Sequence, residues 1–147
     1  MSDDSVITSS GLKIVKSWSV AGVASYVQVK GTNKNENILF DCGSIDESTV
    51  SAKFVFISHG HTDHIGGIIT HARSSSMITN GKTVYYLPEN CYESILKAKE
   101  AFEALDGKPI EMNISIIRPE EEIKISDTLY ISAFETTHRC VSQGNQK

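Results

Sequence analysis

The chain has 147 residues, 39% of them hydrophobic and 22% charged, with a formal net charge of −4. That is enough for one domain with a real core and too little for two. The acidic balance argues against a surface built wholesale for nucleic acid, though a local basic groove would survive such an average, and no apolar run approaches the ~20 residues that span a bilayer.

The opening Met1-Ser-Asp-Asp-Ser-Val-Ile7 is acidic and polar. It lacks the basic and apolar regions of a signal peptide and the Arg-rich bias of a transit peptide, so cytoplasm or nucleus is the expected location, with no membrane association. Three β-rich runs follow, at 12–20, 25–30 and 37–40, with the polar hairpin loop Gly31-Thr-Asn-Lys-Asn-Glu36 before the third. Residues 53–57, Lys-Phe-Val-Phe-Ile, form a continuous apolar run that reads as a strand buried on both faces. It leads directly into Ser58-His59-Gly60-His61-Thr62-Asp63-His64. A helix is expected from Gly67 to about Ala72, dissolving in Ser74-Ser-Ser76 and Asn80-Gly81. Residues 83–87 read as a strand. Pro88 then opens a helix with Tyr92, Ile95, Leu96, Phe102 and Leu105 on one face, stopped by Asp106-Gly107. Strands at 113–117, 123–125 and 129–134 complete an α/β layered domain with a mixed sheet, taken as one domain over 1–147. Cys42, Cys91 and Cys140 lie far apart without a CxxC pair, which fits a reducing compartment better than a disulfide framework.

The chemistry concentrates in the histidine loop. Residues two apart on an extended segment project to the same side, so His59 and His61 can share one ion. Asp63 and His64 follow where the chain turns and can face a second ion. Imidazoles with a carboxylate suit zinc in a catalytic site, and two ions roughly 3.5–4 Å apart can activate one water between them. Gly60 and Gly66-Gly67 permit the tight backbone path. A solvated histidine-rich loop is the bland alternative, and the apolar strand feeding it argues against that. His138 follows the last strand, where it is either a site residue at a strand end or a surface histidine in a polar turn. Asp41 ends the strand at 37–40 and is either a partner orienting a ligating imidazole or a turn former. His71 reads as structural, and Glu120-Glu-Glu122 as a solvated turn.

Phe56-Ile-Ser-His-Gly-His-Thr-Asp-His-Ile-Gly-Gly67 resembles the signature loop of metallo-β-lactamase-fold proteins. Leu39-Phe-Asp-Cys-Gly43 looks like that family's aspartate-bearing strand end. Phe134-Glu-Thr-Thr-His-Arg-Cys-Val-Ser-Gln-Gly144 is similar to the third-histidine segment of the short form of ribonuclease Z, the tRNA 3′-processing endonuclease. The resemblance implies a four-layered αββα sandwich, represented mainly by its N-terminal half. It implies two Zn2+ ions, one held by His59, His61 and His138 and the other by Asp63 with His64. Asp63 would orient or deprotonate the attacking water, and Asp41 would support the ligands. The implied substrate is precursor tRNA, cut on the 3′ side of the discriminator nucleotide to leave a 3′-hydroxyl, and the implied assembly is a homodimer. Family members continue past this point and supply a bridging aspartate, a final zinc histidine and a candidate general-acid histidine. After His138 this chain has no Asp, Glu or His, so its C-terminal half is expected to be missing and an apolar sheet face to be left bare. Two rival readings stand beside this one. One is another metallo-β-lactamase-fold hydrolase acting on thioesters or small phosphodiesters; the other is a non-catalytic, metal-binding remnant.

Overall fold

The structure, a computed structural model, describes residues 6–7, 11–135 and 143–146. A seven-stranded sheet runs β1 (Val6–Ile7), β2 (Lys13–Val20), β3 (Ala24–Lys30), β4 (Asn37–Phe40), β5 (Phe54–Phe56), β6 (Val84–Leu87) and β7 (Asn113–Ile116), paired in that order. β1 to β4 pair antiparallel, and β4 to β7 pair parallel. A second, antiparallel sheet holds β8 (Glu122–Lys124), β9 (Tyr130–Glu135) and β10 (Gln143–Gln146), with β9 in the middle. The single turn α1 (Thr62–Ile65), α2 (Ile68–Thr79) and α3 (Glu89–Asp106) fill the connections between the parallel strands.

Alternation along the parallel strands sorts the core into two halves. Leu39, Val55, Ile57, Tyr85 and Leu87 pack with Ile68, Ala72, Cys91 and Ile95 under the helices. Ile38 and Phe56, flanked by Phe40, Phe54 and Tyr86, pack with Ile125, Leu129, Ile131 and Ala133 of the second sheet. The rings of Phe40, Phe56 and Tyr86 stack in a row across β4, β5 and β6, with centroids 5.8 and 4.7 Å apart. Residues 54–57 are therefore apolar throughout because both faces of β5 are covered. Helices, large sheet and small sheet make three of the four layers expected of an αββα sandwich.

Three expectations need correction. α2 runs through Ser74-Ser-Ser76 to Thr79, because the hydroxyls find partners without breaking the helix. Ser76 Oγ donates to the Arg73 carbonyl at 2.9 Å, and buried Ser75 Oγ lies 2.8 Å from Thr83 Oγ1. The helix stops at Asn80, whose left-handed φ of 54° closes the C-terminus as a glycine would. On α3 the buried face is Cys91 and Ile95, with Ala98 packed alongside; Phe102 is 49% exposed and Leu105 83% exposed. Phe102 and Leu105 instead line an open cleft with Ile69, Thr70 and Arg73 of α2 and with Ile110. The bare apolar sheet face is also much reduced among the described residues. The outward positions of the small sheet carry Glu122, Lys124 and Ser132 beside Tyr130 and Phe134.

Candidate metal centre

Parallel pairing sets the C-terminal ends of β4, β5 and β6 side by side, the place where open α/β sheets collect site residues. Asp41 leaves β4 there, Ser58 and His59 leave β5, and Pro88 leads from β6 into α3. Asp41 has a left-handed φ of 62°, and its N–H donates to the Phe56 carbonyl at 2.8 Å. That conformation, which Asp and Asn tolerate better than most residues, turns the carboxylate onto the neighbouring strand end. The carboxylate accepts from the Ser58 N–H at 2.7 Å, lies 2.9 Å from the Ser58 hydroxyl and meets His64 Nδ1 at 2.7 Å. Asp41 thus contacts a loop imidazole directly from a left-handed turn position.

The segment after Asp41 is stitched to α1. Cys42 N–H donates to the His64 carbonyl at 2.7 Å, and Gly67 N–H donates to the Cys42 carbonyl at 2.8 Å. A Cβ on Gly43 would collide with the carbonyl oxygen of Asp63 and lie 2.7 Å from the Ser25 nitrogen. Only glycine allows this approach. Burial pushes the Cys42 thiol well above its ordinary range, with the Asp41 charge adding to the effect, so it is not a nucleophile at neutral pH.

The loop brings His59, His61, Asp63 and His64 together. The His59 ring centroid lies 4.7 Å from that of His61 and 4.1 Å from that of His64, and His64 Nε2 is 3.5 Å from Asp63 Oδ2. His59 is buried and His61 exposed, so the cluster opens to solvent on one side. Gly22, in the β2–β3 turn, donates its N–H to Asp63 Oδ2 at 3.2 Å. That bond holds the Asp63 carboxyl below the usual carboxylate range, and the neighbouring His64 charge adds to the lowering. Val23 and Val20 stand exposed on the same turn.

His138 lies outside the described residues. Among the described residues, no three His, Cys, Asp or Glu groups are gathered as a metal-binding set. The chemistry of the donors nevertheless fits zinc. His64 gives its Nδ1 proton to Asp41, which leaves the Nε2 lone pair for an ion, the usual arrangement of a ligating histidine. His71 takes no part: it is fully buried, with Nε2 2.8 Å from the Thr49 carbonyl and Nδ1 2.8 Å from the Tyr85 hydroxyl. Burial lowers its pKa, so it is a neutral core histidine. Glu120-Glu-Glu122 forms a surface turn and the start of β8. The sequence does not show the bond from Gly22 to Asp63 or the role of Ser58. The first is brought in from a remote hairpin, and the second had only its position before His59 to mark it.

Residues 35–147 match the family model described as the beta-lactamase superfamily domain. The chain belongs to that superfamily. Among curated relatives, tRNase Z TRZ1 of Arabidopsis thaliana is 31% identical over 107 residues, covering 73% of this chain and 38% of the relative. Nuclear ribonuclease Z of Triticum aestivum is 27% identical over 108 residues, covering 74% of this chain and 61% of the relative. The chain therefore spans between about two fifths and three fifths of these relatives. The crystal structure of human tRNase Z, short form, superposes with a TM-score of 0.62 at 16% identity, over 91% of this chain and 56% of that one. The fold is that of the metallo-β-lactamases, and the matched part of the chain is ribonuclease Z-like. No helix among the described residues is long and apolar enough to cross a membrane.

Proposed function

We propose that this superfamily member is a zinc-dependent phosphodiesterase segment of ribonuclease Z type, acting on the 3′ trailer of precursor tRNA. The observation that carries the reading is the close approach of the His59 ring to His61 and His64 and of His64 to Asp63, with His64 bonded to Asp41. The names of the two plant relatives supply the RNA substrate class. Zinc held by His59, His61 and His138, with a second ion on Asp63 and His64, would supply Lewis-acid polarisation of a phosphoryl oxygen. Asp63 is the chain's own acid–base group: kept ionised by the Gly22 N–H, it can orient a water and take its proton. The water oxygen bonds to phosphorus as the bond to the tRNA 3′-oxygen breaks; that oxygen leaves as a hydroxyl protonated from solvent, and the phosphate stays on the trailer. A homodimer and a cytoplasmic or nuclear location belong to the same reading.

A second reading is a segment that binds metal without turnover. It is favoured by the pairwise grouping of the loop donors, with no three of them gathered among the described residues. Incubating the 147-residue chain with a 3′-extended tRNA and zinc or manganese separates the two. Cleavage 3′ of the discriminator, leaving a 3′-hydroxyl and abolished by Asp63→Ala, supports the hydrolase. Stoichiometric zinc binding without cleavage replaces it with the second reading.

A further inference from the structure

The hydroxyl of Ser58 stands 2.9 Å from each carboxylate oxygen of Asp41 and 2.8 Å from Nδ1 of His59. It has one proton to give and oxygen lone pairs to accept with. A carboxylate only accepts. If the hydroxyl proton pointed at His59, the Ser58 lone pairs would face two anionic oxygens at 2.9 Å, an uncompensated repulsion in a partly buried place. Turned toward Asp41, the hydroxyl makes a charge-assisted bond and its oxygen can accept a proton from His59 Nδ1.

We propose that Ser58 is a positioning residue that relays the Asp41 carboxylate to His59, so that one anion sets the tautomers of two loop histidines. Asp41 fixes His64 directly, and through Ser58 it fixes His59, each with the proton on Nδ1 and the lone pair on Nε2. The relay is held by backbone. Ser58 N–H donates to Asp41 Oδ1 at 2.7 Å, and Asp41 N–H donates to the Phe56 carbonyl at 2.8 Å, which locks the two strand ends together. An imidazole held as the Nδ1–H form meets a metal without first moving its proton, which is why outer partners of ligating histidines matter to affinity. The metal-binding consequence rests on the reading above; the tautomer itself does not.

The test is a two-bond proton–nitrogen correlation spectrum of the metal-free 147-residue chain at a pH of about 8, where an ordinary imidazole is neutral. His59 and His64 are both expected as Nδ1–H tautomers. In Ser58→Ala, His59 shifts toward Nε2–H while His64, bonded directly to Asp41, keeps its form. Zinc affinity, read by competition with a chelating dye, falls roughly 10-fold in Ser58→Ala and returns in Ser58→Thr, which keeps the hydroxyl. Finding His59 as Nε2–H in the unmodified chain overturns the proposal, even if no variant folds. So does a Ser58→Ala spectrum in which the His59 tautomer is unchanged. If the tautomers are as expected but the RNA is not cleaved, the hydrolase reading falls and the relay stands.

Discussion

Replacing Asp41 probes the site at the point where fold and chemistry are joined. Its carboxylate accepts from Ser58 N–H at 2.7 Å, from the Ser58 hydroxyl at 2.9 Å and from His64 Nδ1 at 2.7 Å. Hydrogen bonds to a charged group contribute about 1.5–3 kcal/mol each when well buried. Asp41 is partly exposed, so water recovers a share, and Asp41→Ala is expected to cost about 3–4 kcal/mol in all. Alanine also sits less readily at a φ of 62°. Asp41→Asn is the sharper variant. Asparagine tolerates the backbone and keeps one acceptor for Ser58, so the stability loss should be about 1–2 kcal/mol. Its amide nitrogen, however, then points at His64 Nδ1 as a donor. That forces the His64 proton onto Nε2 and blocks the metal-facing nitrogen. Zinc affinity should fall about 10- to 100-fold, out of proportion to the change in stability. Denaturant unfolding of the metal-free chain and zinc competition on the same samples measure both. Equal zinc affinity in Asp41→Asn and the unmodified chain would refute the orienting role.

Gly43→Ala should destabilise by at least about 2 kcal/mol and weaken zinc binding, because the new methyl meets the Asp63 backbone on one side and Ser25 on the other. Near-normal melting and affinity in that variant would show that the strap between β4 and α1 can yield. His71 supplies a pH signature. Its folded pKa is lowered by burial, so the unfolded chain takes up the proton first; this stabilisation is complete above about pH 6.5 and is lost progressively below it. Unfolding free energies across pH 8 to 5 should therefore fall less steeply in His71→Gln than in the unmodified chain, and parallel slopes would contradict the assignment. The Arg73–Asp106 pair is a contrasting control. It is 2.9 Å long but largely solvent-exposed, so Arg73→Ala should shift stability by less than about 1 kcal/mol.

Sequence reading worked where local pattern and burial agree. The Asn37–Phe40 strand is found at its expected bounds, and the apolar run feeding the histidines is β5 covered on both faces. It failed where tertiary partners override propensity. Ser75 lies in the serine run expected to end the helix, yet it is buried in α2 with Thr79, and Thr83 Oγ1 lies 2.8 Å from Ser75 Oγ and 3.3 Å from Thr79 Oγ1. Phe102 and Leu105 have helical spacing, but periodicity cannot say that the last turns of α3 line an open cleft against α2 rather than the core. The donors of the site were legible because four of them fall within six consecutive residues, His59 to His64. Their supports were not. Asp41 reaches Ser58 and His64 only because β4 and β5 pair in parallel, and Gly22 reaches Asp63 across 41 positions through a hairpin turn. His138, the most distant expected ligand, lies outside the described residues.

The claim on which the rest depends is that the loop after β5 holds a metal through its imidazoles. Zinc K-edge X-ray absorption on the 147-residue chain, loaded with one equivalent of zinc and compared with His59→Ala/His61→Ala, tests it directly. The unmodified chain should show nitrogen and oxygen neighbours at about 2.0–2.1 Å, with outer-shell scattering from more than one imidazole, and the double variant should lose that scattering. A spectrum without imidazole scattering, or one identical in the double variant, would contradict it.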